Sequence, residues 1–237
     1  MYLLSDKKRE ALKKYLWSKN QRWTYENILW EKVEKYQSIF SHMPWVKAIC
    51  ICNSLAMNAC HPESDIDLFI ITEKNRLWTA RICLTILTTL LRIRKTKHKH
   101  AGTFCLSFFV SLDEKNFSHI ALQNDIYFAY WLETLIPIIN KNNAFERFLK
   151  SNKITNTRHK VISESFLFTD EERIKGWRGW ILKILWDINE YILKKIFLPK
   201  TLRSYKKLGK PFWVIITDSI LKFHNHDKRK KIHDALM

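Results

Sequence analysis

Three short apolar runs dominate the first half of this chain: VKAICIC at 46–52, IDLFII at 66–71 and TFCLSFFVS at 103–111. None alternates strictly between polar and apolar residues. VKAICIC, rich in β-branched residues, is fit for a buried strand, and the other two read as further apolar strands. The segments between them carry helical spacing or tight-turn chemistry. The resulting order is helix, strand, short helix, strand, long helix, strand, which is the pattern of an α/β or α+β sheet domain.

The flanking helices are legible from their apolar periodicity. Residues 5–19 place Leu12, Tyr15 and Leu16 on one side, and Thr24 is positioned to cap a second helix bearing Ile28, Leu29, Val33, Tyr36, Ile39 and Phe40. Asn75 is positioned to cap a long helix that runs toward Arg94, and Gly102 breaks the chain before the third strand. Helices are expected at 124–139 and 144–149, a polar linker at 151–160 and a further helix at 177–197. A basic turn region (199–210), the apolar run FWVIIT (212–217) and a basic tail complete the chain. With only four glycines and five prolines, a loop-rich fold is excluded. The expectation is an α+β protein with N-terminal helices (1–42), a mixed-sheet core (43–150) and a mostly helical C-terminal region (151–237).

An apolar content of 46% and ten tryptophans exclude a disordered or collagen-like chain. The formal charge of +18 reads in two ways. It is either a footprint for polyanions or a set of lysines spread over solvated helix faces. The densest run, RIRKTKHKH, starts at Arg92 and finishes at His100 and is the candidate contact for nucleic acid. Five cysteines without CxxC pairs or zinc spacing read as reduced, buried thiols, and hence as a cytoplasmic protein. No stretch combines the length and apolarity of a membrane span.

The chemistry concentrates in SDIDLFIIT, where Asp65 and Asp67 stand two positions apart at the start of an apolar strand. Strand side chains alternate, so i and i+2 share a face and two carboxylates can converge on one cation. The small turn CNSLAMN precedes them, with Asn53 and Ser54 at the junction of a strand and a short helix. Backbone amides and a hydroxyl there suit a triphosphate. Magnesium takes hard oxygen ligands, typically one or two carboxylates plus substrate phosphates.

A strand, a small-residue turn ending in Ser, about ten residues and then an Asp-x-Asp strand resemble the signature of the polymerase-β-like nucleotidyltransferase superfamily. The stretch from Pro44 to Arg81 is similar to bacterial nucleotidyltransferase-domain proteins. The likeness continues through FCLSFFVS, through DIYFAYW (125–131) and into ILKFHNHDKRKKI (220–232). The resemblance implies a nucleotidyltransferase-fold sheet and transfer of a nucleoside monophosphate from an NTP to an acceptor hydroxyl, with pyrophosphate leaving. It implies Asp65 and Asp67 as the catalytic ligands of one or two magnesium ions. It also implies Asn53 and Ser54 as the nucleotide-binding turn. The superfamily commonly has Gly where this chain has Asn53, and a third carboxylate on the next strand, where Cys105 or Ser107 stands. Asp113 lies past that strand's end. The other reading of the same features is a catalytically degenerate domain that binds nucleotide, RNA or a protein partner.

Three further features have bland readings beside functional ones. Arg76 and Arg81 either reach phosphates or are solvated on the helix surface. His224, His226 and Asp227 match no zinc spacing, and Asp227 is expected to cap a last helix; the segment through Arg229 carries no role readable from its residues. The 177–197 helix, rich in aromatics and lysines, is expected to pack in a bundle, the other reading being a membrane surface.

Overall fold

The structure is a computed structural model and describes residues 5–17, 23–96, 98–123, 125–154 and 177–223. Among these, seven α-helices surround one six-stranded mixed sheet. The chain runs α1 (Asp6–Trp17), α2 (Trp23–Ser41), β1 (Val46–Cys52), α3 (Asn53–Ala56), β2 (Ile66–Thr72), α4 (Leu77–Leu90) and β3 (Phe104–Ser111). It continues through α5 (Ile126–Thr134), β4 (Ile136–Asn140), α6 (Ala144–Ser151), α7 (Trp177–Lys207), β5 (Ile215–Ile216) and β6 (Ile220–Lys222). The sheet order is β4-β1-β2-β3-β6-β5. Only β2 and β3 are parallel, and α4 supplies the crossover that a parallel pair requires.

All three expected strands are present, and the sheet is buried on both sides as their composition demands. On one face Cys50, Phe69, Ile71, Phe108 and Val110 pack against Leu12 of α1, Trp131 of α5 and Phe148 of α6. On the other, Ile49, Ile51, Leu68, Ile70 and Phe109 meet Val33 and Phe40 of α2 and Trp78 and Leu84 of α4. Phe69 sits at the centre of the first cluster, within 5.0–5.8 Å (ring centroids) of Phe108, Phe117, Trp131 and Phe148. Burying a side chain of that size stabilises the fold by roughly 1.5–3 kcal/mol.

The expected helix over 124–139 is instead a helix followed by a strand. Asp125 caps α5 by accepting from the Phe128 amide at 2.8 Å, but Leu135 leaves helical geometry and β4 pairs antiparallel with β1. Pro137 is the cause. A proline disfavours helical backbone at the residue before it and cannot donate, which an edge strand such as β4 tolerates.

The C-terminal region also departs from expectation. Most of the basic stretch read as a turn belongs to α7, which passes through Pro199 and ends at Lys207, the chain then turning at Gly209 with a φ of +78°. Lys210 then donates its amide to Tyr205 O, closing the helix end. Of the apolar run at 212–217 only Ile215–Ile216 forms a strand; β6, which follows, pairs with β3 and completes the sheet. The sheet thus draws two strands from the region beyond residue 151. No helix among the described residues is long and apolar enough to cross a membrane.

Candidate functional site

The site begins where β1 turns. Cys52 is extended, and Asn53, the first residue of the single turn of α3, takes a left-handed φ of +57°. Asparagine accepts that conformation better than most residues, which is why the turn forms without glycine. Its side chain is used as well: Asn53 Nδ2 donates to Asp67 Oδ2 at 2.8 Å.

Two register relationships place Asp67. Antiparallel pairing sets Cys52 opposite it on β1, and parallel pairing sets Cys105 opposite it on β3. The next pair along is Phe69 with Phe108, so β3 carries one extra residue just after Cys105. Such bulges re-aim side chains and occur beside functional sites. Asp65 precedes β2 in a pinned turn. Ser64 O accepts from Gly102 N, Ile66 N donates to Thr103 O, and Ser64 Oγ accepts from His61 N.

The result is a convergence. One carboxylate oxygen each of Asp65 and Asp67 and the Cys105 Sγ all lie within 4.8 Å of one another. Asp67 is buried, while Asp65 stays partly accessible. Of Cys105 and Ser107, the two candidates for the third position, Cys105 is the one paired with Asp67; Ser107 follows in the bulge, and its carbonyl accepts from Phe223 N. Asp113 sits beyond the far end of β3, bonded to Ser111 and paired with Lys74 at 3.4 Å.

Lys95 was not anticipated from sequence. Its Nζ lies 2.5 Å from Asp65 Oδ2, as an ion pair. The chain after α4 runs beside the start of β3, where Lys95 N donates to Phe104 O and brings the ammonium to the carboxylate. Burial works against the Lys95 charge, but the contact with Asp65 and the nearby Asp67 carboxylate outweigh it and raise the pKa. The only sequence signal was its place in the basic run, one of whose members thus serves the acidic pair. Lys97 of that run lies outside the described residues.

The thiols behave as expected. All five cysteines are free, and four are buried. Burial first, then the charges of Asp67 and Asp65, push the Cys105 thiol far above its ordinary value. Burial does the same to Cys52, and pushes Cys60 up to about 12. Cys105 therefore keeps its proton at neutral pH and is a soft, uncharged neighbour rather than a third anion. The donor set fits a divalent cation held by two carboxylates, with its other positions left to water or a phosphate.

The remaining sequence candidates are Ser54, Arg76 and Arg81. Ser54 stands in α3, half-buried, with its hydroxyl bonded to the Cys60 thiol. Arg76 and Arg81 are neither solvated nor at the acids. Arg76 is buried and pairs with Asp187 of α7 at 2.6 Å, and Arg81 stacks 4.2 Å from the Phe223 ring centroid. Burial and the neighbouring Arg94 lower the Arg81 pKa to about 10. His224, His226, Asp227 and Arg229 lie outside the described residues, as does most of the 151–160 linker.

Comparisons of the chain with protein-family models, with curated proteins and with solved structures return no match.

Proposed function

We propose that this chain is a magnesium-dependent nucleotidyltransferase, moving a nucleoside monophosphate from an NTP to an acceptor hydroxyl. The observation that carries the reading is the convergence of Asp65 and Asp67 beside the left-handed turn at Asn53. Doubled carboxylates at the start of a buried strand cost stability unless a cation or ligand uses them.

Asp65 and Asp67 would hold the metal. When bound, magnesium supplies positive charge that offsets the triphosphate and the charge developing at the attacked phosphorus. Asn53 fixes the Asp67 carboxylate through its amide, so that this ligand is oriented before substrate arrives. Lys95 balances Asp65 and offers a cation beside the phosphate position. In the reaction the acceptor oxygen bonds to the α-phosphorus as the α–β bridging P–O bond breaks, and pyrophosphate leaves with the bridging electrons. The acceptor's proton passes to solvent, because β3 presents the neutral Cys105 where a carboxylate base would stand. Slow turnover follows.

That same cysteine favours a second reading: a protein that binds nucleotide without transferring it. Calorimetry with NTP and magnesium on the wild-type chain and on Asp65→Ala/Asp67→Ala tests the shared core of both. No binding, or binding untouched by the double substitution, overturns both. Recovery of a nucleotidylated product from a radiolabelled NTP and cell lysate then separates transfer from binding alone.

A further inference from the structure

The 31-residue α7 engages the rest of the protein along one side. Asp187 pairs with Arg76, and Trp186 meets Trp45 edge-on at 4.5 Å. Glu190 accepts from the Trp78 and Thr79 amides at 2.8 Å each, at the start of α4. The opposite side carries Ile181, Leu185, Ile188, Ile192 and Ile196, whose spacings of three and four residues make one continuous stripe. All five are exposed, Leu185 at 55% and Ile188 at 50%. An unbroken aliphatic stripe facing solvent marks an interaction surface.

Charge identifies what covers it. The only acids of α7 are Asp187 and Glu190, and both turn toward α4, so the outward side carries no negative charge. Beyond Pro199 that side becomes basic: at 3.6 residues per turn, Arg203 and Lys206 continue the line of the stripe, with Lys207 beside them. The turn that follows holds exposed Lys210 between the exposed apolar side chains of Leu208 and Phe212. A second copy of the chain is a poor occupant, because it would bring together two such basic ends and two chains of charge +18. An apolar stripe continued by cations matches an anionic lipid headgroup layer over acyl chains.

We propose that the outward side of α7 and the 208–212 turn dock on the surface of an anionic phospholipid bilayer. The helix lies in the plane of the interface. Its aliphatic stripe enters the acyl boundary, and Arg203, Lys206, Lys207 and Lys210 sit among the headgroups.

Co-sedimentation of the full chain with phosphatidylcholine vesicles, with and without phosphatidylglycerol, tests this. The wild type is expected to pellet with the phosphatidylglycerol vesicles only, and less so as salt rises. Ile188→Asp/Ile192→Asp and, separately, Lys206→Glu/Lys207→Glu should each weaken partitioning by roughly tenfold or more. All four side chains are exposed, so far-UV circular dichroism should be unchanged, and the charge-reversal pair decides the matter if the stripe pair disturbs folding. Wild type left in the supernatant with anionic vesicles overturns the proposal, as does pelleting indifferent to both pairs. Self-association without lipid that Ile188→Asp/Ile192→Asp abolishes also overturns it, in favour of a second copy.

Discussion

The side-chain amide of Asn53 donates to the carboxylate of Asp67 at 2.8 Å, joining the left-handed turn after β1 to the acid on β2. One residue thus meets two demands, backbone geometry and ligand orientation. Glycine would meet only the first.

That division is measurable. Asn53→Ala removes the amide and places a Cβ without its polar compensation at φ +57°, and should cost about 1–3 kcal/mol in urea unfolding. Asn53→Gly keeps the geometry and should cost about 1 kcal/mol less, while weakening magnesium-dependent NTP binding as much as alanine does. Equal stability of the two variants would sink the assignment of strain to this turn.

Cys105 tests what the site lacks. Cys105→Asp sets a third carboxylate opposite Asp67. Without metal it should destabilise the fold by about 1–3 kcal/mol through like-charge crowding. With magnesium the loss should shrink, and NTP turnover should rise at least about tenfold. Thermal unfolding with and without magnesium checks the first outcome, and pyrophosphate release the second.

Glu190 is a cap supplied from far along the chain. Its carboxylate takes the Trp78 and Thr79 amides and the Thr79 hydroxyl at 2.6–2.8 Å. Glu190→Ala should cost about 1–3 kcal/mol, with protection lost first at the start of α4 in hydrogen exchange. Protection lost evenly across the sheet would contradict the capping role.

The buried thiols set a pH dependence. Burial raises Cys50, Cys52 and Cys105 above their ordinary 9.0, so the folded chain keeps protons that the unfolded chain releases. Their contribution is whole below pH 9.0 and falls as pH climbs above it. Urea midpoints should hold level from neutral pH to about 8.5 and decline beyond. Iodoacetamide should label Cys83, the one partly exposed thiol, before the others.

Much of this was legible in local sequence, and the misses share a cause. VKAICIC carries the bounds of β1 in its sequence because β-branched density and flanking turn residues agree. Asp67 is legible as a strand acid from its place in IDLFIIT, whereas Asp65 stands one residue before β2, and the turn that holds it beside Asp67 is not written in the spacing of two. Pro137 ends the helix in plain view, but the apolar residues around it also fit a helical period, and the partner that takes up Ile136–Asn140 as a strand, β1, is remote in sequence. Lys95 is legible only as one lysine of a basic run, and the role of Glu190 not at all. Each matters through a partner remote in sequence, Asp65 or Thr79, and nothing in a residue's own neighbourhood announces such a partner. The choice between Cys105 and Ser107 turned on a bulge, which composition does not encode.

The pairing of β3 with β6 has a consequence for biogenesis. Phe108 waits for Lys222, and Phe109 for Leu221, so one border of the parallel pair lies open while the intervening segment is translated. An unpaired apolar strand is a template for wrong partners, other nascent chains included. A ribosome stalled before residue 215 would therefore hold the acidic pair on a sheet whose β3 edge is bare, exposed to aggregation until β5 and β6 arrive.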